Sequence, residues 1–131
     1  MLDHVSITVS DLARARPFYD AIMAALGQPK VWDGEDGFGY GLRSDARHPE
    51  RSYISVRPVA ALRADRRHWC FKAADRAMVA AFHAAALSHG GHDDGQPGLR
   101  PDYHPSYFAA FVLDPDGNRL EAVCHAAAAE D

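Results

Sequence analysis

DHVSITVSDLARARPFYDAIMAALG, residues 3–27, returns 64 places later as RHWCFKAADRAMVAAFHAAALSHGG, residues 67–91, with no gap in either copy. His4 falls on His68, Asp11 on Asp75, Ala13 on Ala77, Phe18 on Phe82, Ala21 on Ala85 and Gly27 on Gly91. Alanine-rich segments match one another cheaply, so the weight rests on the histidines, the aspartates and the terminal glycines. The first copy opens with strand-like alternation: Val5, Ile7 and Val9 share one face, and His4, Ser6 and Thr8 share the other. Ser10 and Asp11 then offer N-cap chemistry, and Leu12, Ala15, Phe18, Tyr19, Ile22, Met23 and Leu26 recur at helical spacing until Gly27. Pro17 lies inside that run, where it fits only near the first turn or at a local bend, because its ring removes a helical hydrogen bond. A repeat of this kind predicts two copies of one supersecondary unit.

Between the copies, Lys30 to Trp32, Phe38 to Leu42 and Tyr53 to Val56 read as short strands parted by Gly, Asp and Pro. Arg43 to Arg51 reads as a polar loop and Ala60 to Arg66 as a connector. After the second copy come a weak strand near His92 to Gln96, then Tyr107 to Leu113 and Asn118 to Cys124. Asp114-Pro115-Asp116-Gly117 joins the last two, with Pro second and Gly fourth as a type I turn prefers. The expected fold is α+β. Two βαβββ modules, about residues 3–58 and 68–125 of a single domain over 1–131, form a curved mixed sheet around a cavity with the helices outside.

The 131 residues are 47% hydrophobic and 24% charged, which suits a soluble globular domain able to close a core without staples. A net charge of −4 with scattered basic residues argues against a nucleic-acid partner. No apolar run approaches the ~18 residues of a spanning helix, and Asp3 and His4 stand where a leader would be basic and then apolar. No membrane role is expected, and the cytoplasm is the expected compartment. Cys70 and Cys124 form no CxxC pattern and fall on opposite strand faces, so each is expected to be a small buried residue rather than half of a disulfide.

Eight histidines stand out. Alternation puts His4 and His68 at matching positions on the faces turned from the helices. Glu121 follows the hairpin glycine by four residues and projects opposite to Leu120 and Ala122. Two imidazoles and a carboxylate form a ligand set for one divalent ion, Fe, Mn, Ni, Zn or Co, with positions left open for water or substrate. A lone strand histidine is more often a surface residue, so the case rests on the joint placement of all three.

Leu2-Asp3-His4-Val5, the Asp11-Leu12 helix ending at Gly27, His68 and above all the run Phe111-Val112-Leu113-Asp114-Pro115-Asp116-Gly117-Asn118-Arg119-Leu120-Glu121 resemble the vicinal oxygen chelate superfamily. That group includes lactoylglutathione lyases, bleomycin-binding proteins, fosfomycin-modifying enzymes and extradiol dioxygenases. The resemblance spans nearly the whole chain. It implies paired βαβββ modules with metal ligands on the first strand of each and on the last strand of the second, positions held here by His4, His68 and Glu121. It also implies a divalent-metal-dependent lyase, isomerase or transferase acting on a small substrate chelated through adjacent oxygens. The alternatives are a non-catalytic, drug-sequestering binder and a ring-cleaving dioxygenase, for which this chain is short. One departure matters: a lactoylglutathione lyase carries a further carboxylate, ligand and base, on the last strand of its first module. Tyr53-Ile54-Ser55-Val56-Arg57 has none, so weak or absent turnover of the methylglyoxal–glutathione adduct is expected.

Candidate pocket residues are Tyr103, His104 and Tyr107 near the penultimate strand, Arg57 for an anionic substrate, and Trp32, which with Phe38 lines a pocket or fills core. His83, His89 and His92 are expected to face solvent. The expected partners are a small-molecule substrate and, because sheet edges are left open, a second copy in a homodimer. The sequence leaves open whether modules pair within one chain or between two.

Overall fold

Both repeats open with the strand that their alternation demands, and both continue through a helix into three further strands. The computed structural model describes residues 1–62 and 67–128, so positions 63–66 of the expected connector lie outside the described residues. The first module comprises β1 (His4–Val9), α1 (Leu12–Ala25), β2 (Lys30–Gly34), β3 (Gly37–Gly41) and β4 (Tyr53–Pro58). The second comprises β5 (His68–Lys72), α2 (Arg76–Ser88), β6 (His92–Leu99), β7 (Phe108–Leu113) and β8 (Arg119–Cys124). The weak strand expected near His92 is the longest of the eight, and bulges bend it between Asp93 and Gly98.

The strands form two four-stranded sheets, ordered β1-β4-β3-β2 and β5-β8-β7-β6. In each the first strand pairs parallel to the last and the remaining pairs are antiparallel. β1 and β5 therefore hold equivalent edge positions, each hydrogen-bonded to a single neighbour. Ile7, Val9, Phe38, Tyr40 and Val56 bury one face of the first sheet against Phe18, Ile22 and Met23 of α1. Val79, Phe82 and Ala86 of α2 meet Val112, Leu120 and Ala122 in the second.

Asp11 and Asp75 cap the helices, accepting from the amides of Arg14 and Met78 at 3.2 and 2.8 Å. Pro17 sits at the sixth position of α1, past the first turn, inside a helix that continues to Ala25. The 64-residue offset holds to the helix starts and then slips: α2 is one residue shorter, and the left-handed residue beyond it is Gly90, the counterpart of Gly27. Gly91, which aligns with Gly27 in sequence, does something else. A Cβ there would lie 2.5 Å from Phe18, so the glycine allows α1 to close on the second module.

The helices cover their sheets from outside, as expected, and α1 and α2 also pack against each other. Beside that contact the β7–β8 turn forms a polar joint. Asp114, 1% exposed, accepts from the Asp116 and Asn118 amides at 2.9 and 2.8 Å, from Asn118 Nδ2 at 2.7 Å and from Tyr19 Oη at 2.6 Å. Asn118 Nδ2 also donates to the Thr8 carbonyl at 2.9 Å, and Asp116 accepts from the Ser10 amide and from Arg14, both at 2.8 Å. Burial and then the Asp114 charge hold the Tyr19 phenol well above its usual pKa, so it remains a donor.

Candidate metal centre

β5 and β8 set two site residues diagonally across one strand pair: His68 lies opposite Arg119, and Cys70 lies opposite Glu121. Both functional side chains project from the face turned away from α2, and His68 Nε2 meets Glu121 Oε1 at 2.7 Å. Glu121 is 3% exposed whereas the His68 side chain is 36% exposed, so a buried carboxylate presents its oxygen to an imidazole at the surface. The second carboxylate oxygen, Oε2, accepts from the Tyr107 hydroxyl. Burial, then Glu121, hold that phenol above its ordinary pKa, which keeps it a donor across the physiological range.

Cys70 completes this group. The residue is exposed, contrary to the buried position expected for it, but its thiol is drawn in beside the acid. Shielding from solvent, then the Glu121 charge, push it up to about 12, so it is a neutral thiol at pH 7. Cys124 is buried as expected, and both cysteines are free. Phe111 backs the site with its ring 5.9 Å from His68, and Arg100 lies over that ring at 5.4 Å.

His4 is elsewhere. It sits on the equivalent face of the first module, stacked on Tyr53 at 5.2 Å, with Nδ1 2.7 Å from Asp3. His4, then Ser44, hold the Asp3 carboxyl below the usual carboxylate range. Among the described residues no three His, Cys, Asp or Glu side chains converge as a metal site, so one chain brings His68 and Glu121 together but not His4. A cavity of about 540 Å³ runs between the first module and β5; it reaches His4, Tyr53, Cys70 and Lys72 but neither His68 nor Glu121.

Tyr103, His104 and Tyr107 gather in one aromatic cluster with His125, whose Nδ1 is 2.9 Å from His104 Nε2. Trp32 and Arg57 belong to the first module, stacked on each other at 4.5 Å; Phe38, by contrast, is core. His83 corrects its expectation: it is 6% exposed and bonded to Asp93 at 2.8 Å, because the inner face of α2 reaches one residue further round than the apolar pattern suggests. The sequence reading missed Asp114 as an anchor and Cys70 as a neighbour of Glu121. Strand alternation alone placed Cys70 on the His68 face.

Two βαβββ modules of matching topology, with a histidine–carboxylate pair on the face turned from the helix of the second, define a two-module α+β class of protein. The chain belongs to the Glyoxalase/Bleomycin resistance protein/Dioxygenase superfamily, whose family model matches residues 1–122. A glyoxalase/bleomycin resistance protein from Albidiferax ferrireducens is similar in structure at 27% identity, TM-score 0.76, over 94% of this chain and 97% of that one. A putative glyoxalase from Bacillus halodurans shares the fold at 23% identity and TM-score 0.68, over 95% of each chain. So does a glyoxalase I variant from Zea mays, at 20% identity and TM-score 0.65, over 93% of this chain and 46% of that one. No curated protein matches the sequence. Among the described residues no helix is long and apolar enough to cross a membrane.

Proposed function

We propose that the protein is a divalent-metal-dependent enzyme of the lyase, isomerase or transferase kind, acting on a small substrate with two adjacent oxygens, and that His4, His68 and Glu121 hold the ion. The His68–Glu121 contact carries this reading, since it brings two donors of the right type to one point. Such a set accepts Fe, Mn, Ni, Zn or Co, and the ion when bound supplies Lewis-acid polarisation of a substrate oxygen. Tyr107 fixes the orientation of Glu121 by engaging one carboxylate oxygen and leaving the other to the site. Because His4 stands apart from the pair, a second copy of the chain completes the set. The open edges of β1 and β5 favour such a homodimer.

The alternative of a non-catalytic binder draws on the last strand of the first module, which has no carboxylate and carries Ser55 at the place that Glu121 holds in the second. Calorimetry of chelator-stripped protein with each divalent ion separates the two. The expected result is one ion per chain, with Glu121→Gln costing more than the roughly 10–100-fold typical of losing a ligand's outer partner, at little change in melting temperature. Mixing His4→Ala with His68→Ala protein is expected to restore binding that neither shows alone. No binding to any ion would replace the enzyme reading with the binder, and failure of the mixture would return the site to a single chain.

A further inference from the structure

β3 reads Gly37-Phe38-Gly39-Tyr40-Gly41, so alternation turns two buried aromatics toward α1 and three glycines the other way. The result is a trough with no side chains along its floor, and Trp32 of β2 lies in it. A Cβ on Gly39 would sit 2.3 Å from Trp32 Nε1, and one on Gly37 would sit 3.1 Å from the far edge of the indole. Arg57 of β4 folds across the ring with its guanidinium carbon 4.5 Å from the centroid. Beside them Ser6 and Ser55 join hydroxyls at 2.8 Å in the same cross-strand row as Gly39 and Trp32.

Packing accounts for a ring in the trough but not for its polar edge. The indole N–H is buried without an acceptor, an orphan donor that phenylalanine in the same trough would not create. Arg57 is exposed, and among the described residues it makes no hydrogen bond or ion pair. Several other cations are engaged by acids: Arg14 with Asp116, Arg16 with Asp33, Lys30 with Asp20 and Asp33, Arg119 with Asp94. Even Arg100, the ring-stacked arginine of the second module, donates to the Gln96 and Leu99 carbonyls. Arg43 over Tyr53 and Arg76 over Phe108 share this state of a ring contact without an acid, and Arg57 differs from both in lying over an indole whose buried N–H lacks an acceptor.

We propose that Trp32 and Arg57 form a subsite for a planar carboxylate of the substrate. The inference rests on the reading of this face, which carries His4, as the substrate side. A guanidinium resting over an indole with its N–H groups not spent on the protein offers the paired donors that a carboxylate accepts bidentately, and the serine pair supplies hydroxyls alongside. Arg57 lies four residues along β4 from Tyr53, the residue opposite His4, which at about 3.3 Å per residue is roughly 13 Å. The substrate class is therefore an elongated acid, chelating oxygens near His4 and a carboxylate at the far end.

The test uses full-length protein in chelator, so that it does not depend on any metal. Benzoate is titrated while the indole N–H resonance of Trp32, assigned with W32F, is followed by NMR. A saturable shift is expected, with affinity at least tenfold weaker in R57Q, intermediate in R57K, and absent for benzamide. An unchanged affinity in R57Q, or an equal response to benzamide, overturns the subsite. Tighter binding of inorganic phosphate than of benzoate overturns the carboxylate assignment in favour of a phosphoryl group. A protein that binds no metal can pass this test and a metal protein can fail it, so the two readings stand or fall separately.

Discussion

Corresponding rows of the two sheets, followed outward from the edge strands, are Ser6–Ser55–Gly39–Trp32 in the first module and Cys70–Glu121–Phe111–Gly95 in the second. In both, an aromatic ring lies over a glycine of the neighbouring strand and an arginine covers the ring. Ring and glycine have exchanged strands: the second module takes its ring from β7 over Gly95, whereas the first takes it from β2 over Gly39. The two modules share a way of packing rather than a set of side chains. Chemistry separates at one position, where Glu121 stands against Ser55. His68 gains an acid across the strand pair, while His4, facing a hydroxyl row, turns to its sequence neighbour Asp3. The helices differ in the same manner, since Tyr19 and His83 occupy equivalent places. Tyr19 reaches Asp114 in the other module, and His83 reaches Asp93 in its own.

The sharpest break in this comparison is at the joint, which has no twin. Asp114→Ala strips partners from Tyr19, from Asn118 and from two turn amides, and is expected to cost about 3–4 kcal/mol in urea unfolding. Tyr19→Phe removes a single donor and is expected to cost about 1–2 kcal/mol. A loss below about 1 kcal/mol for Asp114→Ala would mean that the helix contact alone joins the modules.

Ser55→Glu makes the modules alike at the position that divides them. Ser55 is 4% exposed and the first module has no equivalent of Tyr107 there, so the buried carboxylate is expected to cost about 1–3 kcal/mol. Calorimetry is expected to show tighter ion binding at an unchanged one ion per chain, because the new carboxylate joins His4 at the same ion. Unchanged affinity would show that residue 55 is not what separates the chemistry of the two modules.

The smallest effect belongs to Asp93, whose carboxyl is held below its usual range by the His83 hydrogen bond first and then by the Gly95 amide. A lowered carboxylate pKa adds stability above the unfolded value of about 3.9, and that stability is lost as pH falls through the lowered native value. Asp93→Asn is therefore expected to lower the melting temperature at pH 6, with the gap closing as pH falls through the lowered native value. A gap that persists in acid would assign Asp93 a purely packing role.

The modules were legible because their signals are local: alternation at His4 to Val9, an aspartate cap, a glycine stop, and Pro and Gly at fixed places in one turn. His68 and Glu121 were legible as candidates for the same reason, each lying on a strand whose faces the alternation distinguishes. What could not be read was long-range. Asp114 looks like any turn aspartate, because Tyr19, which makes it an anchor, lies 95 residues away. The separation of His4 from the pair depends on how modules meet, and periodicity within a module carries no information about that. Trp32 stayed ambiguous until the glycines of β3 were seen to share one face.

The joint also bears on how the chain comes to be made. Synthesis delivers the first module whole by Pro58, yet its Tyr19 hydroxyl and Thr8 carbonyl find their partners only when Asp114 and Asn118 have been added. Until then the early half carries unmatched polar groups and the bare flank of α1, a state open to sticking and misassembly. The chain carries two like modules, but the turn that closes the second one sets the moment at which the first can settle.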